Sequence, residues 1–331
     1  MQKVGIIGAG SWGTALAVTS SNAGRDVTLV GRDQDVINDI NKKSQNSKYL
    51  QNITLPKGVK ATCNIKEISS SDVVLLVIPA QFLRQTCKTL KLAEFSDKTP
   101  IVICCKGIEK ESCNLMSEVA REILPENPIA FISGPNFAKE IANQLPAAAT
   151  LACKDESLGM TLVENLGSNL FRLYYSNDIT GAQIGGAVKN VLAIACGIAI
   201  GKGLGENARA ALVTRGLAEI SRLCTAKGGN IETLLGLSGI GDIMLTCGSE
   251  TSRNMSFGLA LGKGEKVENL IGNKITEGVE TAYSVVKLAK KLEVKMPICE
   301  AIADIIYNNM DVNEAIDRLL NRPLTSEIIS F

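Results

Sequence analysis

The sequence predicts an α/β chain in two parts, a doubly wound parallel sheet over residues 1–180 followed by an all-helical half over residues 181–331. Three observations predict it. Short β-rich runs alternate with helical stretches through the first half, those runs are continuously apolar as in strands covered on both faces, and past about residue 177 long helical patterns replace them. A length of 331 residues suits two domains.

Residues 4–7 read as the first strand, 14–22 as a helix and 27–30 as the second strand. The polar stretch 41–60 reads as a long connection, after which 73–78, 101–105, 129–133 and 147–152 continue the strands. The domain boundary falls around 177–181. The longest apolar stretch, 190–201, falls short of the roughly 20 residues needed to cross a bilayer and reads as a buried helix. Gly203-Leu204-Gly205 reads as a turn, with Asn207 capping a helix over 208–223.

Composition narrows the function. With 45% hydrophobic and 21% charged residues the chain is globular, and a net charge of +1 without a Lys/Arg run gives no reason to expect nucleic acid or a membrane surface as partner. There is no histidine, so proton transfer near neutral pH falls to Lys, Asp, Glu, Tyr or Cys. Ten cysteines lie scattered without a C-x-x-C pair, which points to reduced core thiols in a cytoplasmic protein rather than disulfides or a metal site. Met1-Gln2-Lys3 runs straight into Val4-Gly5-Ile6-Ile7 without the pattern of a signal peptide.

Directly after the first strand stands Gly8-Ala9-Gly10-Ser11-Trp12-Gly13, a G-x-G-x-x-G that opens a helix. Such glycines permit a tight turn and let backbone approach a pyrophosphate, while free N–H groups at the helix start face the anion. Strand, motif, helix and second strand in about 30 residues mark the Rossmann dinucleotide fingerprint. The second strand ends in Gly31-Arg32-Asp33. Arg32 suits a ribose 2′-phosphate and favours NADP(H), while Asp33 keeps NAD(H) open.

In Gly185–Cys196, Lys189 and Asn190 interrupt a helix that is apolar all round. Burial there would push the ammonium pKa toward neutrality and let Lys189 do the work of the missing histidine, unless it snorkels to the surface. Asp242, on the Gly-rich approach Gly236–Gly241, suits either the orientation of a lysine or a helix cap. Ser252-Arg253-Asn254 precedes a helical pattern and suits a phosphate, and Lys106 follows the strand at 101–105, at the carboxyl edge of the sheet.

Together these residues resemble one family, the bacterial NAD(P)-dependent sn-glycerol-3-phosphate dehydrogenases. The likeness spans essentially the whole chain. It rests on the glycine motif, Cys105-Lys106-Gly107, Ser133–Ala138, Val188-Lys189-Asn190, Gly203–Asn207, Asp242, Thr246-Cys247, Ser252-Arg253-Asn254 and Glu277-Gly278-Val279. It implies a helical domain like that of 6-phosphogluconate dehydrogenase and an active site between the two domains. It also implies reversible NAD(P)H-dependent reduction of dihydroxyacetone phosphate to sn-glycerol 3-phosphate for phospholipid synthesis; the expectation of a cytoplasmic chain without a metal comes from the cysteine pattern, and that of a homodimer from the usual state of soluble oligomers. By the same likeness Lys189 exchanges the proton, surrounded by Lys106, Asn190, Asp242 and Thr246. Gly134, Asn136, Ser252, Arg253 and Asn254 face the substrate together with Lys106, Lys189 and Asp242. Ser11, Trp12, Arg32, Lys106, Ala138, Arg253, Ile275 and Glu277 face the cofactor beside Gly8, Gly10 and Gly13. At Asn136 the family usually has Ser or Thr. The competing readings are a related hydroxy-acid dehydrogenase and a non-catalytic NADPH sensor.

Overall fold

A computed structural model describes residues 1–93, 95–271, 276–324 and 326. The chain divides into two compact units, 1–105 with 116–179, and 106–115 with 180–331. The change near residue 180 lies where the apolar strands end. The segment Lys106–Leu115, which the sequence reading placed in the first domain, belongs to the second unit.

The first unit is an eight-stranded sheet: β1 (Lys3–Ile7), β2 (Asp26–Val30), β3 (Val59–Thr62), β4 (Val73–Leu76), β5 (Ile101–Ile103), β6 (Ile129–Ser133), β7 (Ala147–Cys153) and β8 (Phe171–Ser176). Their order is β3-β2-β1-β4-β5-β6-β7-β8. The doubly wound parallel sheet expected from the sequence is present, with one antiparallel pairing at its far side. The first six strands run parallel, but β7 pairs antiparallel with β6, and β8 follows β7 in parallel. A link from β6 to β7 through the short Ala138–Ala142 helix has no room for a full crossover, so the chain turns back along its neighbour. Two strands escaped the sequence reading. β3 lies at the end of the polar 41–60 stretch, and β8 alternates buried and exposed residues at the sheet edge. The inner strands are apolar throughout because both faces are covered, and β4 is buried at all four positions.

The chain runs outward from β1 to β3 and then crosses to β4 on the other side of β1. That reversal makes the crevice at the carboxyl ends of β1 and β4 the ligand position of such sheets.

The second unit is helical around one core, with the Ile179–Gly201 helix at its centre. At 23 residues it is longer than the 190–201 stretch suggested, because the small residues before Lys189 are helical too. By length and composition it could span a membrane, but 89% of its most apolar window is buried within the protein, the environment of a core helix. The helix predicted from 208 begins earlier, at Gly205, with Leu204 at its N-cap, so Asn207 lies inside the first turn and caps nothing. Gly203 and Gly205, at φ +70° and +84°, make the turn.

The central helix meets the Arg253–Gly262 helix through paired glycines. A Cβ on Gly197 would lie 2.2 Å from the Met255 carbonyl oxygen, and one on Gly258 would lie 2.0 Å from that of Ile194. The two backbones therefore touch, and any side chain there would force the helices apart.

One buried carboxyl adds a pH-sensitive joint. Glu219, 2% exposed, accepts from the N–H groups of Ile298 (2.7 Å) and Cys299 (3.2 Å) at the start of the Pro297–Tyr307 helix. Burial pushes its carboxyl up to about 7 from 4.5, with the two N–H bonds opposing. A carboxyl whose pKa is higher folded than unfolded contributes stability below about 4.5 that is lost as pH rises through about 7. Urea unfolding is expected to show this loss, on the order of 3 kcal/mol, and Glu219→Gln to remove most of the slope. An unchanged slope in that variant would assign it to other groups.

Candidate active site

In the first unit the glycine loop follows β1 and opens α1 (Ser11–Asn22). Gly8 has φ +122°, and a Cβ there would sit 2.0 Å from the Val77 carbonyl oxygen. A Cβ on Gly13 would lie 1.8 Å from the Gly8 oxygen, whereas one on Gly10 would meet no protein atom within 4 Å. Gly8 and Gly13 thus serve the turn, and Gly10 opens toward a ligand. α1 has Gly10 at its N-cap, no capping side chain and no acidic residue in its first turn. Its leading N–H groups and dipole suit an anion, so the loop fits a dinucleotide pyrophosphate.

Trp12 packs edge-on to Phe171, 6.3 Å between ring centres, which fixes the start of α1 against the sheet. Ser11 Oγ donates to the Tyr49 carbonyl (2.7 Å). At the end of β2 the Arg32 guanidinium stacks 5.5 Å from the ring centre of Phe82, a half-exposed residue that the sequence reading missed. Its signal was position, since Phe82 follows the end of β4, which lies beside β1. Asp33 has different partners. Its Oδ1 accepts from the N–H groups of Asp35 and Val36 and caps α2 (Gln34–Lys43), and its Oδ2 pairs with Lys48 at 2.6 Å.

Gly134 and Asn136 follow β6, and Ala138 opens the next helix. Both polar atoms of the Asn136 amide are buried without a hydrogen-bond partner, a costly state unless a ligand or water engages them.

The second unit holds a buried charge cluster. Lys189 is 7% exposed, so it does not snorkel. Its Nζ donates to Asp242 Oδ1 (2.5 Å) and to Thr246 Oγ1 (2.7 Å). Asp242, fully buried, receives the Lys106 ammonium on Oδ2 at 2.5 Å. One carboxylate therefore serves two ammonium groups. Gly241 holds the N-cap position of the Asp242–Gly248 helix, so Asp242 orients lysines rather than capping. Thr246 is one turn further along the same face. Burial pushes the Lys106 ammonium down to about 8; the Asp242 carboxylate opposes this and the charge of Lys189 adds to it.

Lys106, three residues past the end of β5 as the sequence places it, opens the Lys106–Leu115 segment of the second unit. Ile108, Cys113 and Leu115 are buried in the helical core, Ser284 Oγ donates to the Ile108 carbonyl (3.0 Å), and Lys110 pairs with Glu280 (3.0 Å). The segment is built into the second unit by its own apolar side chains.

Asn190 Oδ1 accepts from Asn254 Nδ2 (2.9 Å), and Asn254 Oδ1 accepts from the Gly278 N–H (2.9 Å). The paired glycines allow this approach. Ser252 caps the Arg253–Gly262 helix by accepting from the Met255 N–H, and the exposed Arg253 guanidinium stands at its first turn. Glu277 begins the Glu277–Lys291 helix. Ile275 lies outside the described residues.

A dinucleotide loop on one unit and a lysine–carboxylate acid–base cluster on the other define a class, the nicotinamide-dependent oxidoreductases acting on a hydroxyl or carbonyl group. Family models described as the N-terminus and C-terminus of NAD-dependent glycerol-3-phosphate dehydrogenase match residues 3–159 and 178–317. The chain belongs to the NAD-dependent glycerol-3-phosphate dehydrogenase family. It is 49% identical over 328 residues to the glycerol-3-phosphate dehydrogenase (NAD(P)+) of Maricaulis maris, with 98% of each chain covered. To that of Rhodospirillum rubrum it is 50% identical, with 99% of this chain and 94% of the relative covered. The crystal structure of a glycerol-3-phosphate dehydrogenase from Coxiella burnetii matches with a TM-score of 0.93 at 38% identity, covering 97% of this chain and 99% of that one.

Proposed function

We propose that this chain reduces dihydroxyacetone phosphate to sn-glycerol 3-phosphate with NAD(P)H, with NADP(H) preferred, supplying glycerol 3-phosphate for phospholipid synthesis. The observation that carries the reading is the buried Lys106–Asp242–Lys189–Thr246 cluster, an acid–base device made without histidine. When bound, the nicotinamide supplies a hydride to C2 of the ketone. Lys189 donates the proton that the C2 oxygen takes up, and in the reverse direction accepts it. Asp242 and Thr246 hold the Lys189 ammonium in place. Lys106 adds a second positive charge where the oxygen becomes negative. The phosphate belongs to the start of the Arg253–Gly262 helix, where the guanidinium, the helix dipole and the Ser252 hydroxyl all favour an anion. Asn254, with its Oδ1 engaged by Gly278 and its Nδ2 by Asn190, positions the Asn190 side chain. Asn136 has a free donor and acceptor for the substrate. Gly8, Gly10, Ser11, Trp12, Gly13, Arg32, Ala138 and Glu277 serve the cofactor.

The preference for NADP(H) is supported by Asp33, whose two oxygens are taken by the α2 amides and Lys48, leaving Arg32 to meet the ribose. The proposed setting is the cytoplasm, where unpaired thiols stay reduced, with the chain as a homodimer.

NADPH oxidation at 340 nm with dihydroxyacetone phosphate, run beside dihydroxyacetone and beside NADH, tests the reading. Turnover that depends on the phosphate is expected. Tight NADPH binding without turnover would overturn it. The same assay carries a pH prediction. As pH rises through about 8 Lys106 loses its proton and its pairing with Asp242, so kcat/KM for reduction is expected to fall along a limb centred there. Lys106→Arg keeps the charge and is expected to move that limb upward; an unmoved limb would remove Lys106 from it.

A further inference from the structure

The polar stretch 41–60, which reads as a plain connection, contains a turn fastened to the cofactor loop. Asn46 is fully buried, and its Nδ2 donates to the Ala9 carbonyl (3.0 Å) and to Thr14 Oγ1 (2.7 Å). Asn46 and Leu50 form an isolated antiparallel bridge across the turn, Ser11 Oγ donates to the Tyr49 carbonyl, and the Ser47 N–H donates to Asp39 Oδ2 (2.9 Å). The turn is thus held by α1 on one side and α2 on the other. Lys48 stands at its tip, and its ammonium reaches Asp33 Oδ2 at 2.6 Å.

Asp33 sits where the second strand of such folds places a carboxylate that accepts from a ribose 2′-hydroxyl and repels a 2′-phosphate. Here both of its oxygens are already engaged and its charge is countered by an ammonium group. Oδ1 holds the first amides of α2 and Oδ2 holds Lys48. Arg32, next to it, stacks on Phe82 instead of pairing with Asp33. With Lys48 present, Arg32, Asp33 and Lys48 together carry a single positive charge, and without it they are neutral.

Resting on the NADP(H) reading above, we infer that Lys48 is a specificity-determining residue for the cofactor: by occupying Asp33 it cancels the carboxylate that would otherwise select a free 2′-hydroxyl and reject a 2′-phosphate. The residue acts through Asp33, so its effect must vanish when Asp33 loses its charge. It must also weaken with salt, since the groups are partly exposed.

The test compares kcat/KM for NADPH with that for NADH in the full chain, with dihydroxyacetone phosphate as the other substrate. Lys48→Ala is expected to lower the NADPH-to-NADH ratio about fivefold to tenfold at low ionic strength, and by less at high salt. Lys48→Arg is expected to keep the ratio, and the double variant Lys48→Ala/Asp33→Asn to bring it back within about twofold of the parent, because Asn still caps α2. A parent that prefers NADPH together with an unaltered ratio in Lys48→Ala overturns the inference and leaves the NADP(H) reading standing. Equal losses with both cofactors, or a ratio that Asp33→Asn does not restore, also overturn it by making Lys48 a structural residue. A parent that prefers NADH overturns both. Thermal unfolding of each variant separates misfolding from these outcomes.

Discussion

Lys189→Ala is expected to lower kcat for reduction of dihydroxyacetone phosphate by about 10²- to 10⁴-fold, the range over which a positioned general acid contributes. The Kd for NADPH should stay within about twofold, because the glycine loop and the Arg32 site are built by the first unit and contain no part of Lys189. The fold should persist, since Asp242 keeps its pairing with Lys106. Removing the side chain leaves a space beside Thr246, so small primary amines added to the assay should restore part of the rate. Stopped-flow hydride transfer and cofactor fluorescence separate the two effects. A variant that turns over at the parent rate would take the proton-transfer role from Lys189.

Asp242→Asn is expected to be the most damaging single change to the cluster. The carboxylate holds two ammonium groups on its two oxygens in a fully buried position, and the neutral amide would withdraw that negative charge from both pairings. Breaking a buried pair by removing one partner costs about 3–5 kcal/mol, and here two pairs share the partner. Because the Asp242 charge holds the Lys106 proton on against burial, its loss lets the Lys106 pKa fall further below about 8. The alkaline limb of kcat/KM should therefore move to lower pH as kcat falls. Urea unfolding and the pH–rate profile check the two parts. A variant with the parent's stability and an unmoved limb would show that the pairing is peripheral.

The parts of the site legible in the sequence are those whose chemistry is local. The glycine spacing requires its turn for steric reasons within a few residues, and the structure meets it with Gly8 at φ +122°. Lys189 stood out because an ammonium in an all-apolar helix must find a partner. Its partner was named only by the family resemblance, and the residues alone left Asp242 open between counter-ion and cap. Asp242 is 53 residues away from Lys189, and its choice between cap and counter-ion depends on packing between helices. The antiparallel direction of β7 and the strand β3 after a polar stretch went unread, and the Asn207 cap was misplaced, for the same reason. Neighbouring strands, sheet edges and glycine turns decided them against the local pattern.

By itself the sequence determined the alternation of buried strands and helices, the dinucleotide loop, the position of Lys189 in an all-apolar helix and the phosphate-suited residues Ser252-Arg253-Asn254 ahead of a helix. These follow from short-range sterics and from the cost of placing charge in apolar surroundings. Only the tertiary structure decided that Lys106 belongs to the helical unit, 136 residues from the carboxylate it shares with Lys189. The same holds for Asn254 on Asn190, brought together by glycines on two helices, and for Lys48 on Asp33. Each is a contact between segments distant in the chain, set by which apolar faces pack together, and no local pattern in one segment records the identity of the other.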